Sequence, residues 1–124
     1  MLMKYHLLIG LTAITFILHA IEEYFMDFHN SDELLLLFTK IFGIQNYNLA
    51  IWMMIQIVMI IFLFYLWFNY SKSGVYILLA ILLFELSHPI ESLLQIKYTP
   101  GLFTALIFPF LGYQWIKIRK RMNR

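Results

Sequence analysis

The chain has 124 residues, room for one domain, and is 62% hydrophobic and 13% charged, where a soluble domain carries roughly 45–50% and about 25%. That balance points to a membrane protein. A net charge of +2 is too small to suggest a nucleic-acid partner, and with no cysteine the chain has no disulfide, thiolate metal site, iron–sulfur cluster or cysteine nucleophile.

Hydropathy predicts an all-α fold: a four-helix transmembrane bundle in a single domain, with spans over about 5–25, 48–70, 75–96 and 100–116. A short interfacial helix over about 32–42 lies between the first two spans. The first apolar run continues past Ala13 with no small-residue cleavage pattern, so a cleaved signal peptide is not expected. Along it Thr12, Thr15, His19, Glu22 and Glu23 fall in one stripe at helical spacing, a polar seam for the protein interior.

In the connector Ser31 is placed to cap a short helix, with Asp32 and Glu33 in its first turn, and Gly43 is placed to stop it. About ten residues are too few to span, so the helix is interfacial or re-entrant, or else a lid packed on the bundle. The second span holds Gln56 as its one strongly polar interior residue and ends in Tyr65, Trp67 and Tyr70, an aromatic belt. A tight turn is expected over 71–74. In the third span Pro89 removes the hydrogen bond to the Glu85 carbonyl and bends the helix among its ionisable residues. Tyr98-Thr99-Pro100-Gly101 opens the fourth span, with Thr99 as cap and Pro100 in the first turn. Trp52, Trp67, Tyr113 and Trp115 are expected at the membrane interfaces.

The fourth span ends in a basic tail, read as a topology signal. Four spans place Lys4, Lys72, Lys117, Arg119, Lys120, Arg121 and Arg124 on one side and only Lys40 and Lys97 on the other. The positive-inside rule then makes both termini cytoplasmic.

The chemistry sits in His19-Ala20-Ile21-Glu22-Glu23, which puts a histidine and two glutamates on one helical face. Sixty-nine residues later His88-Pro89-Ile90-Glu91 follows, preceded by Glu85. At ~1.5 Å per residue each histidine lies about 21 Å along its span. The first and third spans run in the same direction, so a two-fold axis along the membrane normal would bring the motifs face to face. No lysine or arginine within the spans neutralises these carboxyls, which must share protons, pair with imidazolium or bind a cation.

Three chemistries are open to His19, Glu22, Glu23, Glu85, His88 and Glu91. One is a divalent metal site on His19, Glu22, His88 and Glu91 (zinc, iron or manganese), with Glu23 and Glu85 completing the shell. Glu85-x-x-His88 has the order used by di-metal carboxylate bundles, but His19 to Glu22 reverses it, which speaks against a di-iron centre. Another is metal-free acid–base catalysis, a double-bond shift or cyclisation, on an isoprenoid- or sterol-like molecule. The third is proton or ion transport, for which four short helices would need a homo-oligomer. Gln56, Asn46, Asn48, Tyr98 and Thr104 are placed to support the cluster from outside. The non-functional reading is a hydrogen-bond network that fixes helix pairing in a non-catalytic membrane subunit. The partners expected are membrane lipid and a lipophilic small molecule.

The His19-to-Glu23 motif near the end of the first span, a later span bearing a histidine, and the Tyr98-Thr99-Pro100-Gly101 segment resemble the HXXEE-motif family of small integral membrane proteins. The resemblance runs from the first span to the last. It implies a bacterial inner-membrane location and makes His19, Glu22 and Glu23 the defining residues; it supplies no substrate. A looser likeness to the emopamil-binding-protein group of sterol isomerases implies double-bond isomerisation by embedded acids and histidines.

Overall fold

The computed structural model describes residues 2–122; Arg124 of the basic tail lies outside the described residues. Among those residues the chain is helical and has no strand. Three helices are long and apolar enough to cross a membrane: Met3–Phe25, Gln45–Phe68 and Lys72–Gln95.

The first helix, α1 (Leu2–Phe25), contains no proline. Its threonines return their hydroxyls to the helix itself, Thr12 to the Leu8 carbonyl and Thr15 to the Leu11 carbonyl, each at 2.8 Å. Tyr5, Leu8, Ile9, Thr12, Thr15, Phe16, His19 and Glu23 are buried at three- and four-residue steps, while Leu7, Leu11, Ile14, Ile17, Leu18 and Ile21 are exposed. Apolar side chains turned outward around a polar seam suit a helix whose solvent is lipid.

Asp27 adopts a left-handed conformation, φ 59°, and turns the chain into α2 (Phe28–Ser31) and α3 (Glu33–Ile41). The cap of α3 is Asp32, which accepts from the Leu35 N–H at 2.7 Å, and not Ser31 as expected. Asp32 has the extended backbone that a cap requires, whereas Ser31 is helical and donates to the Asp27 carbonyl at 3.0 Å. Gly43, at φ 67°, follows the end of α3 as its spacing predicts.

A 3-10 turn, Gln45–Tyr47, leads into α4 (Asn48–Phe68). This helix lies antiparallel to α1 and is tied to it at both ends. At one end Tyr5 Oη donates to the Leu66 carbonyl at 2.6 Å and His6 Nε2 lies 3.1 Å from the Trp67 carbonyl. These are among the last four carbonyls of α4, which no helical N–H follows. At the other end Trp52 and Gln56 bond to Glu23. Tyr5→Phe should therefore cost about 1 kcal/mol, read as a lower unfolding midpoint in detergent with helicity unchanged; a variant as stable as the parent would show that this tie contributes nothing.

The next helix, α5 (Lys72–Phe84), starts where the 71–74 turn was expected. Ser71 caps it by accepting from the Gly74 N–H at 3.1 Å, so those residues form its first turn. A Cβ on Gly74 would come within 2.5 Å of Leu66, and its absence lets the start of α5 approach the end of α4. The helix breaks after Phe84 and resumes as α6 (Ser87–Gln95). Pro89 has no N–H for the Glu85 carbonyl, and the break falls at that residue.

Pro109 repeats the device. It has no N–H for the Ala105 carbonyl, and the segment expected as one fourth span is divided into α7 (Leu102–Ala105) and α8 (Phe108–Met122). Thr99 does not cap it: α7 begins after Gly101, at φ 86°, without a side-chain cap.

Against α1 pack α4, α7 and α8, and α8 packs on α5. The core between them includes Tyr5, Ile9, Phe16, Leu66, Leu78, Phe108 and Trp115. Trp115 is 0% exposed and donates to Thr12 Oγ1 at 3.0 Å, so it is a core residue and not an interface anchor. Trp52 is buried as well. In both cases an acceptor on the polar seam of α1 draws the indole N–H inward.

Candidate metal centre

One turn of α1 separates His19 from Glu23, and both point into the bundle. The break between α5 and α6 leaves Glu85 at the end of one helix and His88 in the first turn of the next. These four side chains converge. His19 Nε2 lies 2.9 Å from Glu85 Oε2 and 3.3 Å from Glu23 Oε1; His88 Nε2 lies 3.3 Å and 3.5 Å from the same two atoms. One ligand atom from each residue fits within 4.8 Å of all the others. A tetrahedron with bonds of about 2.1 Å has edges of about 3.4 Å, close to these four imidazole–carboxylate distances, so the group could hold a metal ion.

Three of the four are buried, with His19 1%, Glu23 3% and His88 6% exposed, and Glu85 is part-buried. The imidazole rings meet edge to face at 5.1 Å between centroids, with Phe108 against His19 and Phe28 against His88. Glu23 turns its second oxygen, Oε2, to Trp52 Nε1 at 2.9 Å and Gln56 Nε2 at 3.3 Å. The Nε2 atom of His19 has no hydrogen-bond partner, although two carboxylate oxygens lie close to it. A buried polar atom in that condition is costly unless something else engages it.

Glu22 points away from this group, into the segment 98–104. Its Oε1 accepts from Tyr98 Oη at 2.7 Å and the Phe103 N–H at 3.0 Å; its Oε2 accepts from the Thr104 N–H at 2.9 Å and the Thr104 hydroxyl at 2.7 Å. Burial and the bond to Glu22 push the Tyr98 phenol up to about 12. The same segment holds both histidines. Thr104 Oγ1 lies 2.6 Å from His19 Nδ1, and Thr99 donates to the His88 carbonyl at 2.9 Å. Gly101 lies against the His19 ring so closely that a Cβ there would come within 2.5 Å of Cε1.

The group expected from spacing was His19, Glu22, His88 and Glu91. Geometry keeps both histidines and replaces the glutamates with Glu23 and Glu85. Glu22 is held by the 98–104 segment, and Glu91 accepts from Gln95 Nε2 at 2.9 Å one turn along α6. The two motifs are accordingly not used alike, since Glu22 and Glu91, equivalent by position, have unlike partners. Of the outer supports expected, Gln56 bonds to Glu23, Thr104 to His19 and Glu22, and Tyr98 to Glu22. Asn48 is buried with its Oδ1 unpartnered and makes no bond to the cluster, and Asn46 is exposed. The reading of the sequence missed Trp52, Thr99 and Gly101. Trp52 precedes Gln56 by one turn of α4, and that spacing was the available signal.

Two cavities reach the cluster. The larger, about 470 Å³, lies under α3 between Leu34, Leu35, Phe38, Ile55 and Phe84, and is lined also by Glu23, Glu85 and His88. The smaller, about 290 Å³, is more polar and lies among Asp32, Lys97, Tyr98 and Thr99. Both are bounded by Phe28, Asp32, His88 and Glu91.

Fold and site together define a helical protein with membrane-length apolar helices and a buried pair of histidines and glutamates at one end. The family described as proteins of unknown function with an HXXEE motif matches residues 10–116, and the chain belongs to it. No curated protein and no solved structure matches the chain, so the looser likeness to sterol isomerases gains no support.

Proposed function

We propose that the chain is an integral membrane protein that binds one divalent metal ion on His19, Glu23, Glu85 and His88 and acts on a lipophilic, isoprenoid- or sterol-like molecule. The reading rests on one observation: four donor atoms lie within 4.8 Å of one another on side chains of which three are buried and the fourth part-buried. Two imidazoles and two carboxylates suit zinc, iron or manganese. A divalent ion would balance the two buried carboxylates and supply Lewis-acid chemistry.

The cavity under α3 has the size and the apolar walls of a small-molecule site. Leu34, Leu35, Phe38, Ile55 and Phe84 would hold a hydrocarbon body against the cluster, and Glu91 and Asp32 would stand where the second, more polar cavity meets it. In this reading α3 lies at the membrane interface and α7 with α8 forms a fourth span. The basic residues at the end of α8 then set both termini in the cytoplasm.

The close approach of His19 to Glu85, 2.9 Å, favours one competing reading, a metal-free imidazole–carboxylate network working by acid–base chemistry. Elemental analysis of the purified full chain separates the two. Equimolar zinc, iron or manganese is expected, and Glu85→Ala and His88→Ala should each retain less than one equivalent through purification. Wild-type protein that is metal-free as purified and takes up none of the three on incubation would overturn the metal reading in favour of the network.

A further inference from the structure

We propose that Glu22, the first glutamate of the motif, is a positioning residue and not a ligand: through Thr104 it makes His19 Nδ1 a proton donor and leaves Nε2 as the ring atom that faces the ion. This rests on the metal reading for its purpose, but not for its hydrogen-bond logic. Glu22 accepts four hydrogen bonds, two on each oxygen, among them two backbone N–H groups. An ionised carboxylate offers acceptors only. The single proton of the Thr104 hydroxyl is directed at Glu22 Oε2, 2.7 Å away, with the Gly101 carbonyl farther at 3.3 Å. The 2.6 Å contact between Thr104 Oγ1 and His19 Nδ1 must then draw its proton from the ring.

With Nδ1 donating, Nε2 is the atom turned toward Glu23 and Glu85, and it is the atom that lacks a hydrogen bond. Gly101 approaches the ring at Cε1, where a Cβ would come within 2.5 Å. Ligating histidines generally donate their other ring N–H to a fixed acceptor, which settles both tautomer and orientation. The two glutamates of the motif therefore divide the work: Glu23 joins the cluster, and Glu22 aims His19 from behind. The 98–104 segment is the far half of the same device, since it supplies the four donors to the Glu22 carboxylate.

Two measurements on the full chain in nanodiscs test this. In the first, the metal-free protein is labelled with 15N-histidine and the His19 signals are assigned by comparison with His19→Ala. Nδ1 should carry a proton in the wild type and in Thr104→Ser, and that proton should lose its hydrogen bond in Thr104→Val. An unprotonated Nδ1 in the wild type would overturn the relay whether or not metal binds.

In the second, Co2+ alone is titrated and followed by its ligand-field absorption. Glu22→Gln and Thr104→Val should bind about 10–100-fold more weakly with an unchanged spectrum, Thr104→Ser should stay near wild type, and Glu23→Gln should alter the spectrum. Wild-type affinity in both Glu22→Gln and Thr104→Val, or a changed spectrum in Glu22→Gln, would overturn the assignment. Failure of the wild type to bind Co2+ would instead remove the metal reading, leaving the 15N result to decide the relay.

Discussion

Glu23→Ala should abolish equimolar metal and destabilise the protein by about 3–5 kcal/mol, the range for stripping one partner from a buried charged group. Glu23 is 3% exposed and serves three elements at once. One oxygen faces the two histidines, and the other accepts from the Trp52 indole and the Gln56 amide of α4. Its removal leaves the indole N–H without an acceptor and unties α1 from the start of α4. Metal analysis and denaturant unfolding in detergent read the two effects. Glu91→Ala is the contrast, because among the described residues that side chain bonds within α6, to Gln95, and both measurements should stay near wild type. Metal lost in Glu91→Ala and kept in Glu23→Ala would reverse the assignment of the carboxylates.

Gly101→Ala should have the next largest effect, although it adds one methyl group outside the cluster. Gly101 sits at φ 86°, a conformation that costs an L-residue about 1–2 kcal/mol, and the new Cβ would lie 2.5 Å from His19 Cε1. Overpacking of a filled site typically adds about 1–3 kcal/mol. Part of the clash can be relieved by turning the His19 ring, which would break its bond to Thr104. Metal affinity should therefore fall by at least the 10–100-fold typical of a lost outer partner, together with a lower unfolding midpoint. Gly43→Ala is the control for backbone strain alone, since its φ is 67° and a Cβ there meets nothing. Equal metal loss in both variants would show that contact with the ring is not the cause.

Much of this was legible in the chain because hydrocarbon makes ionisable residues conspicuous. His19 and His88 stand out in apolar runs, and the structure brings them together at 5.1 Å. The choice between neighbouring glutamates was not legible. Residues i+3 and i+4 lie about 60° to one side and about 40° to the other side of the histidine direction on a helix, and the pattern alone favours neither. Partners remote in sequence decide it. The 98–104 segment comes in on the Glu22 side, and Trp52 and Gln56 come in on the Glu23 side.

The third span shows the same limit. Pro89 announces a bend, but the break at Glu85 is what delivers that carboxylate to the histidines and leaves Glu91 on the cavity wall. Trp115 was misjudged for a related reason. An aromatic residue beside a basic tail fits the membrane interface equally well, and only the packing of α8 on α1 shows its N–H meeting Thr12.

X-ray absorption at the metal edge, on the full chain reconstituted in lipid and loaded with zinc, tests the central claim most directly. The account predicts two imidazole nitrogens and two carboxylate oxygens at about 2.0–2.2 Å, with one imidazole lost in His19→Ala and one in His88→Ala. A shell without imidazole scattering, or one that neither substitution changes, would place the ion elsewhere and contradict it.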